Sequence, residues 1–133
     1  MKRSDSFIAK RQRSLKEAAE DYTELIEDFI QNKGEARVCD LAKEMGISHV
    51  TVIRTLARLE TEGYLKTSPR NPVDLTQKGR KLAKSSKKKH ETLYSFLLKI
   101  GVSKQNAQND VEGIEHHISG ETLSKISELL KKL

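Results

Sequence analysis

Two segments of the chain carry carboxylates and imidazoles at helical spacing. Asp21 and Glu24 are three residues apart, which places them about 60° apart around a helix. Glu112, Glu115 and His116 follow an i, i+3, i+4 pattern and fall within an arc of about 100°. Carboxylate oxygens together with an imidazole nitrogen suit a hard to borderline divalent ion at five or six coordination better than they suit tetrahedral thiolate zinc. The spacing therefore predicts a divalent metal site.

A second imidazole could come from His90, which falls in a predicted long helix between the two segments. His117, in contrast, lies off the face that Glu112 and His116 share. Each of these spacings is also common on solvated helices, so surface charge without a ligand role is the alternative interpretation. The single cysteine, Cys39, excludes an intrachain disulfide and a zinc site built on paired cysteines.

Basic residues are in excess and unevenly distributed. The 133 residues include 25 Lys+Arg against 19 Asp+Glu, a formal charge of +6. Six bases and one acid occupy residues 1–16, and seven bases without an acid occupy residues 78–89. Nucleic acid is therefore the first partner to test. We expect residues 1–14 to form a basic arm that is mobile unless bound, whereas the run at 78–89 is typical of a solvated helix face.

Apolar residues at three- and four-residue intervals predict the helices that must position these groups. The first helix covers about residues 15–33. A shorter second helix ends at Gly46, where a left-handed C-cap is expected, and Ser48 caps a third helix that ends at Gly63. Two helices joined by a glycine turn make a helix-turn-helix, although ordinary helical bundles contain the same pattern.

The third helix has the composition of a DNA recognition helix. Its predicted core face is Val52, Ile53, Leu56 and Leu59, and its predicted solvent face is Thr51, Arg54, Thr55 and Arg58. Hydroxyl and guanidinium groups on the exposed face could read bases in the major groove. The candidate DNA-binding residues are Ser48, His49, Thr51, Arg54 and Arg58, with Lys66 and Arg70 as phosphate contacts.

A two-stranded hairpin is predicted directly after the third helix. Two short β-prone segments flank the tip Ser68–Pro72, which holds both prolines of the chain. This arrangement is the wing of a winged helix. Thr76 is expected to cap a long helix that ends near Ile100, and Gly101 separates it from helices at about 103–117 and about 119–133. We therefore predict a mainly α fold: a basic arm (1–14), a winged helix-turn-helix (15–84) and an all-helical metal-binding and dimerisation domain (85–133).

The segment Asn109–Ser119, N-D-V-E-G-I-E-H-H-I-S, resembles the hallmark segment of the manganese transport regulators. These form a branch of the diphtheria toxin repressor family of metal-dependent DNA-binding repressors. The resemblance extends over Asp21-Tyr22-x-Glu24, Gly34–Val38, the helix-turn-helix, Leu75-Thr76-x-Lys78-Gly79 and Lys89-His90-Glu91. It implies the metal ligands Asp21, Glu24, His90, Glu112, Glu115 and His116.

The resemblance also implies a function. The chain would be a homodimeric repressor, not an enzyme, that binds double-stranded operator DNA with one or two Mn(II) ions per protomer and controls manganese uptake genes. Iron-responsive relatives have softer, sulfur-containing residues at the positions of Asp21 and Glu112, so the carboxylates here favour manganese. No apolar stretch approaches the ~20 residues of a membrane helix, so we expect a cytoplasmic protein without a membrane partner.

Three alternatives remain open from the sequence. A metal-independent winged-helix regulator would explain the DNA-binding features and leave the acids as surface charge. An iron-responsive repressor of the same family would use the same fold with another ion. A small binuclear metallohydrolase would explain the ligands, but it needs an open coordination position and a substrate pocket, which the sequence does not indicate.

Overall fold

Six helices and a two-stranded sheet follow one another in the described part of the chain. The computed structural model describes residues 2–133, apart from the side chains of residues 12 and 13. The elements are α1 (Arg3–Lys33), α2 (Val38–Met45), α3 (His49–Thr61), β1 (Leu65–Lys66), β2 (Asp74–Leu75), α4 (Gln77–Lys99), α5 (Lys104–Ile114) and α6 (Gly120–Leu130). The mainly α fold class is confirmed.

The chain divides into two compact units. One contains residues 17–84, and the other contains residues 1–16 together with residues 85–133. The first includes the helix-turn-helix, the hairpin and the beginning of α4, and the second includes the rest of α4 with α5 and α6. No helix among the described residues has the length and apolar character needed to cross a membrane.

The first helix begins earlier than predicted, at Arg3 instead of about residue 15, and the mobility of the basic arm stays a prediction. No glycine or proline interrupts the sequence until Gly34, and extending an existing helix costs far less than nucleating a new one. Asp5 lies in the first turn and its carboxylate accepts a hydrogen bond from the Lys2 amide at 3.2 Å. The predicted arm also included Met1 and the Arg13 side chain, which lie outside the described residues.

The helix-turn-helix forms as predicted. Gly46 closes α2 with a left-handed φ of 68°, and its amide donates to the Ala42 carbonyl. The Ser48 hydroxyl accepts a hydrogen bond from the Thr51 amide at 3.1 Å and so caps α3. These two local interactions fix the turn between the helices.

One core prediction for α3 is wrong. Val52, Leu56 and Leu59 are buried, but Ile53 is 56% exposed. At about 100° per residue, Ile53 lies well outside the narrow arc that the three buried residues share. Thr55, expected in solvent, is half-buried on the opposite edge of that arc.

The predicted wing is present. Leu65 pairs with Leu75 and Lys66 with Asp74 in an antiparallel ladder. Leu65 and Leu75 are buried, whereas Lys66 and Asp74 are exposed, so the hairpin shows the alternation of a half-buried sheet. The Val73 amide donates to the Ala36 carbonyl at 2.8 Å, which ties the returning strand to the segment between α1 and α2.

The other unit differs from the prediction at the end of α5. The helix was expected to reach residue 117, but it ends at Ile114, and His117 closes a tighter turn on the Ile114 carbonyl. The next helix needs Ser119 in an extended conformation as its N-cap, so the chain must leave the helical path before that residue. Ala107 and Val111 bury the inner face of α5, whereas α6 has no buried residue.

Candidate metal centre and DNA-binding face

The carboxylate of Glu115 lies between two imidazoles. His90 Nδ1 is 2.8 Å from Glu115 Oε2, and His116 Nε2 is 3.4 Å from Glu115 Oε1. The side chains of Glu115 and His116 are 3% and 2% exposed. Each oxygen of this buried carboxylate therefore faces a ring nitrogen of a different histidine.

Local structure explains how these groups meet. Buried Leu93 anchors the inner face of α4 near His90, whose ring stacks on Tyr94 with a centroid distance of 6.4 Å. Glu115 follows α5 directly and keeps a right-handed helical conformation, because its amide still bonds to the Val111 carbonyl at 3.0 Å. The last turn of α5 therefore directs Glu115 towards α4.

Glu112 completes a group that could hold a metal ion. Ligand atoms of His90, Glu112 and Glu115 all lie within 4.8 Å of one another. Glu112 is exposed, so the group opens to solvent on the side of α5. One imidazole and two carboxylates within this distance fit a divalent cation of the hard to borderline class.

Burial raises the pKa of Glu115 above its ordinary value of 4.5. The hydrogen bond with His90 acts in the opposite direction, as do the charges of His90 and His116, while Glu112 adds to the rise. A carboxylate in this setting lacks sufficient compensating charge, and a bound cation would supply it.

The structure places the other predicted ligands as follows. The sequence suggested His90 only as a possible second imidazole ligand, and in the structure His90 lies directly against Glu115. Asp21 and Glu24 are half-buried on α1, in the unit formed by residues 17–84, and their ligand role stays a prediction. His117 is exposed in the turn after α5, in agreement with its expected position off the ligand face.

The predicted DNA-contacting side chains of α3 are on its exposed face. Thr51, Arg54 and Arg58 are all exposed, as are Ser48 and His49 at the start of the helix. The Ser48 hydroxyl is already used as a cap and lies 2.9 Å from the Thr51 hydroxyl. Its first role is therefore structural, and contact of these residues with DNA stays a prediction.

The wing is held from two sides by residues that the sequence pattern did not indicate. Glu60 on α3 accepts hydrogen bonds from the Thr67 hydroxyl at 2.5 Å and the Thr67 amide at 3.4 Å. Arg37, at the start of α2, donates from Nη1 to the Arg70 carbonyl at 3.2 Å and pairs with Glu35 at 3.3 Å. The contact between Arg37 and Arg70 spans 33 residues of sequence, so no periodicity could reveal it.

Two family models match consecutive parts of the chain. Residues 14–73 match the N-terminal DNA-binding domain of iron-dependent repressors. Residues 76–133 match the metal-binding and dimerisation domain of iron-dependent repressors. Together the two matches cover nearly all of the chain.

Named relatives agree with these matches. The chain is 44% identical over 119 residues to the transcriptional regulator MntR of Escherichia coli O157:H7, covering 90% of this chain and 77% of that protein. It is 38% identical over 112 residues to the HTH-type transcriptional regulator MntR of Bacillus subtilis (strain 168), covering 84% of this chain and 79% of that protein.

Solved structures have the same fold. A manganese-dependent transcriptional repressor in complex with manganese superposes with a TM-score of 0.75 at 25% identity, over 85% of this chain and 52% of that chain. The manganese regulator SloR gives a TM-score of 0.76 at 22% identity, over 86% of this chain and 54% of that chain. The chain thus spans about half the length of these two solved proteins. It belongs to the iron-dependent repressor family, also called the diphtheria toxin repressor family, and within it to the manganese transport regulator branch.

Proposed function

We propose that the chain is a manganese-responsive transcriptional repressor that binds operator DNA as a homodimer when Mn(II) is bound. The observation that carries the proposal is the buried Glu115 carboxylate between His90 and His116, with Glu112 within reach. This donor set occurs in a chain that also has a capped, solvent-facing recognition helix. The metal centre and the DNA-binding face are the two parts that a metal-controlled repressor requires.

The proposed ligands are Asp21, Glu24, His90, Glu112, Glu115 and His116, holding one or two ions per protomer. Each ion would supply positive charge to a set of acids that repel one another without it. Oxygen-rich coordination suits Mn(II), and the neighbouring imidazoles of His90 and His116 add nitrogen donors. Fe(II) is the second candidate ion, because the matching family models describe iron-dependent repressors.

Dimerisation follows from the match to a metal-binding and dimerisation domain. The apolar residues Leu123, Ile126 and Leu130 of α6 are only half-buried, and Leu129 is 47% exposed, so this helix leaves apolar surface for a second copy. A two-fold dimer matches an operator whose half-sites are one helical turn apart, about 34–36 Å. Binding at this operator would repress manganese uptake genes. We place the protein in the cytoplasm. The named relatives are transcriptional regulators, and we assign no catalytic role to the chain.

The first prediction is that operator binding requires metal. Fluorescence anisotropy of a labelled duplex carrying a candidate palindrome is measured with Mn(II) and with a chelator, and a random duplex of equal length is the control. We expect Mn(II) to raise affinity for the palindrome and to leave the random duplex almost unchanged. Equal affinity of the chelated and manganese-loaded protein for the palindrome would contradict the proposal.

Two adjacent histidines provide matched variants for this assay. His116→Ala removes an imidazole that lies 3.4 Å from Glu115, and we expect it to abolish activation by Mn(II) while leaving a folded dimer. His117→Ala removes an exposed imidazole and should have a much weaker effect. Size-exclusion chromatography checks the dimer in both variants.

A further inference from the structure

Three consecutive carbonyl groups at the end of the recognition helix are held by the beginning of α4. Lys78 Nζ donates to the Glu62 carbonyl at 2.8 Å. The Thr76 hydroxyl donates to the Gly63 carbonyl at 2.6 Å, and the Thr76 amide donates to the Tyr64 carbonyl at 3.1 Å. All five residues lie within the unit formed by residues 17–84.

Two further interactions favour the position of the Lys78 ammonium. It lies 4.4 Å from the centroid of the Tyr64 ring, which is within the range of a cation–π interaction. Glu62 is the C-cap of α3, so the ammonium also lies at the negative end of that helix dipole. Carbonyl, aromatic ring and helix dipole therefore all favour a cation at this point.

Gly79 allows the close approach of the two segments. A Cβ at this position would lie 2.0 Å from the Tyr64 carbonyl oxygen, a distance that no side chain tolerates. The Gly79 amide donates to the Thr76 hydroxyl at 3.1 Å, so Thr76 both caps α4 and bonds to Gly63. None of the chain's other glycines would place a Cβ closer than 4.0 Å to a neighbouring group.

We propose that Thr76, Lys78 and Gly79 form a latch through which α4 sets the orientation of the recognition helix, with Lys78 as its positioning residue. The proposal rests on the proposed function. α4 is one continuous helix from Gln77 to Lys99 and carries both Lys78 and the proposed ligand His90. Metal binding that constrains α4 at His90 would therefore act on the end of α3. The bonds that Thr76 and Lys78 make to the carbonyls of residues 62–64 would transmit the constraint.

The test uses the full chain and replaces the ammonium while keeping the stem. Lys78→Met keeps an unbranched side chain of similar length and removes the charge and the donor. Lys78→Arg restores a cation with donors at the same place. Lys81→Met is the matched control, because Lys81 is an exposed base one turn further along the same helix.

Operator affinity is measured with Mn(II) and with a chelator for each protein, together with random-duplex affinity at several salt concentrations. Mn(II) affinity without DNA and the melting temperature are measured in parallel. We expect Lys78→Met to reduce the Mn(II)-dependent gain in operator affinity by about tenfold, with unchanged Mn(II) affinity and salt dependence. Lys78→Arg should recover most of the gain, and Lys81→Met should behave as wild type.

Each of the following outcomes would overturn the latch. An unchanged gain in Lys78→Met, or a loss that arginine does not restore, would exclude Lys78 as the positioning residue. Equal losses on operator and random duplex, with a flatter salt dependence, would reassign Lys78 to phosphate contact. If wild type itself shows no gain with Mn(II), the proposed function fails and the latch fails with it. Should Lys78→Met melt too low to assay, Thr76→Val must reduce the gain instead, since it removes the bonds of the hydroxyl to Gly63 and Gly79 with little change in shape.

Discussion

At the scale of single residues, Glu115 combines the properties that a metal switch needs. Its carboxylate is buried against His90 and His116, and burial raises its pKa. Without metal, the folded protein therefore favours the protonated carboxyl relative to the unfolded chain. A divalent cation competes with that proton, so metal binding should weaken as the pH falls.

The second prediction concerns Glu115→Gln, which resembles the protonated side chain. Because the folded pKa of Glu115 is raised, its contribution to stability is fully present below the ordinary value of 4.5 and is lost as pH rises through the folded pKa. In chelator, the free energy of unfolding of wild type should therefore fall relative to Glu115→Gln as the pH rises above 4.5. Urea unfolding measures this difference.

Added Mn(II) provides the control for the same pair. It should raise the melting temperature of wild type and have little effect on Glu115→Gln, because a ligand stabilises only the state that binds it. If the free energies of unfolding of the two proteins change in parallel with pH in chelator, the burial of Glu115 does not affect its titration.

At the scale of secondary structure elements, we predict different tasks for α3 and the wing in DNA binding. Arg54 and Arg58 on the exposed face of α3 are predicted to contact base edges, and exposed Lys66 and Arg70 of the wing are predicted to contact phosphates. Arg70 adopts a left-handed φ of 66°, and Arg37 holds its carbonyl. A left-handed non-glycine residue fixed in this way sets the shape of the wing tip.

The third prediction separates these two tasks. Arg54→Ala should cost about 1–3 kcal/mol of operator affinity and relax the preference at one base position, because a guanidinium can bond to a guanine edge. Arg70→Ala should weaken binding to all duplexes and reduce the salt slope by about 1. Anisotropy titrations on operator, single-base variants and random duplex distinguish the two. Equal loss on operator and random duplex for Arg54→Ala would assign Arg54 to phosphate contact.

At the scale of the whole molecule, the choice of metal decides which signal the repressor reports. Mn(II) is at the weak end of the divalent series, so it cannot win by affinity, and selectivity must come from coordination number and geometry. A Zn(II) ion satisfied by few ligands need not recruit Asp21 or Glu24. We therefore expect Zn(II) to bind at least as tightly as Mn(II) and to activate less.

The fourth prediction follows from this difference. Operator affinity at saturating metal should be highest with Mn(II), and the double variant Asp21→Met, Glu112→Cys should shift the response towards Fe(II), because sulfur is the softer donor. The same anisotropy assay, carried out anaerobically for Fe(II), compares the three ions. Full activation of wild type by Zn(II) would show that geometry does not discriminate between these metals.

Much of the fold followed from local sequence signals. Gly46 and Ser48 act through bonds to residues at most four positions away, so the turn of the helix-turn-helix could be predicted without tertiary structure. The same holds for the hairpin, whose prolines and apolar strand residues all lie between Leu65 and Leu75. The helical spacing of Glu112 and Glu115 also identified a candidate metal site, because side-chain direction repeats with the helix.

Tertiary packing decided the features that local sequence signals could not predict. Ile53 is exposed because the neighbouring elements cover only a narrow arc of α3, and its own apolar character could not reveal the width of that arc. His90 meets Glu115 across 25 residues, and Lys78 meets Glu62 across 16. Such contacts depend on how helices pack, which helical periodicity does not encode. The sequence by itself therefore determined which groups are available for metal and DNA, and the tertiary structure decided which of them lie in contact.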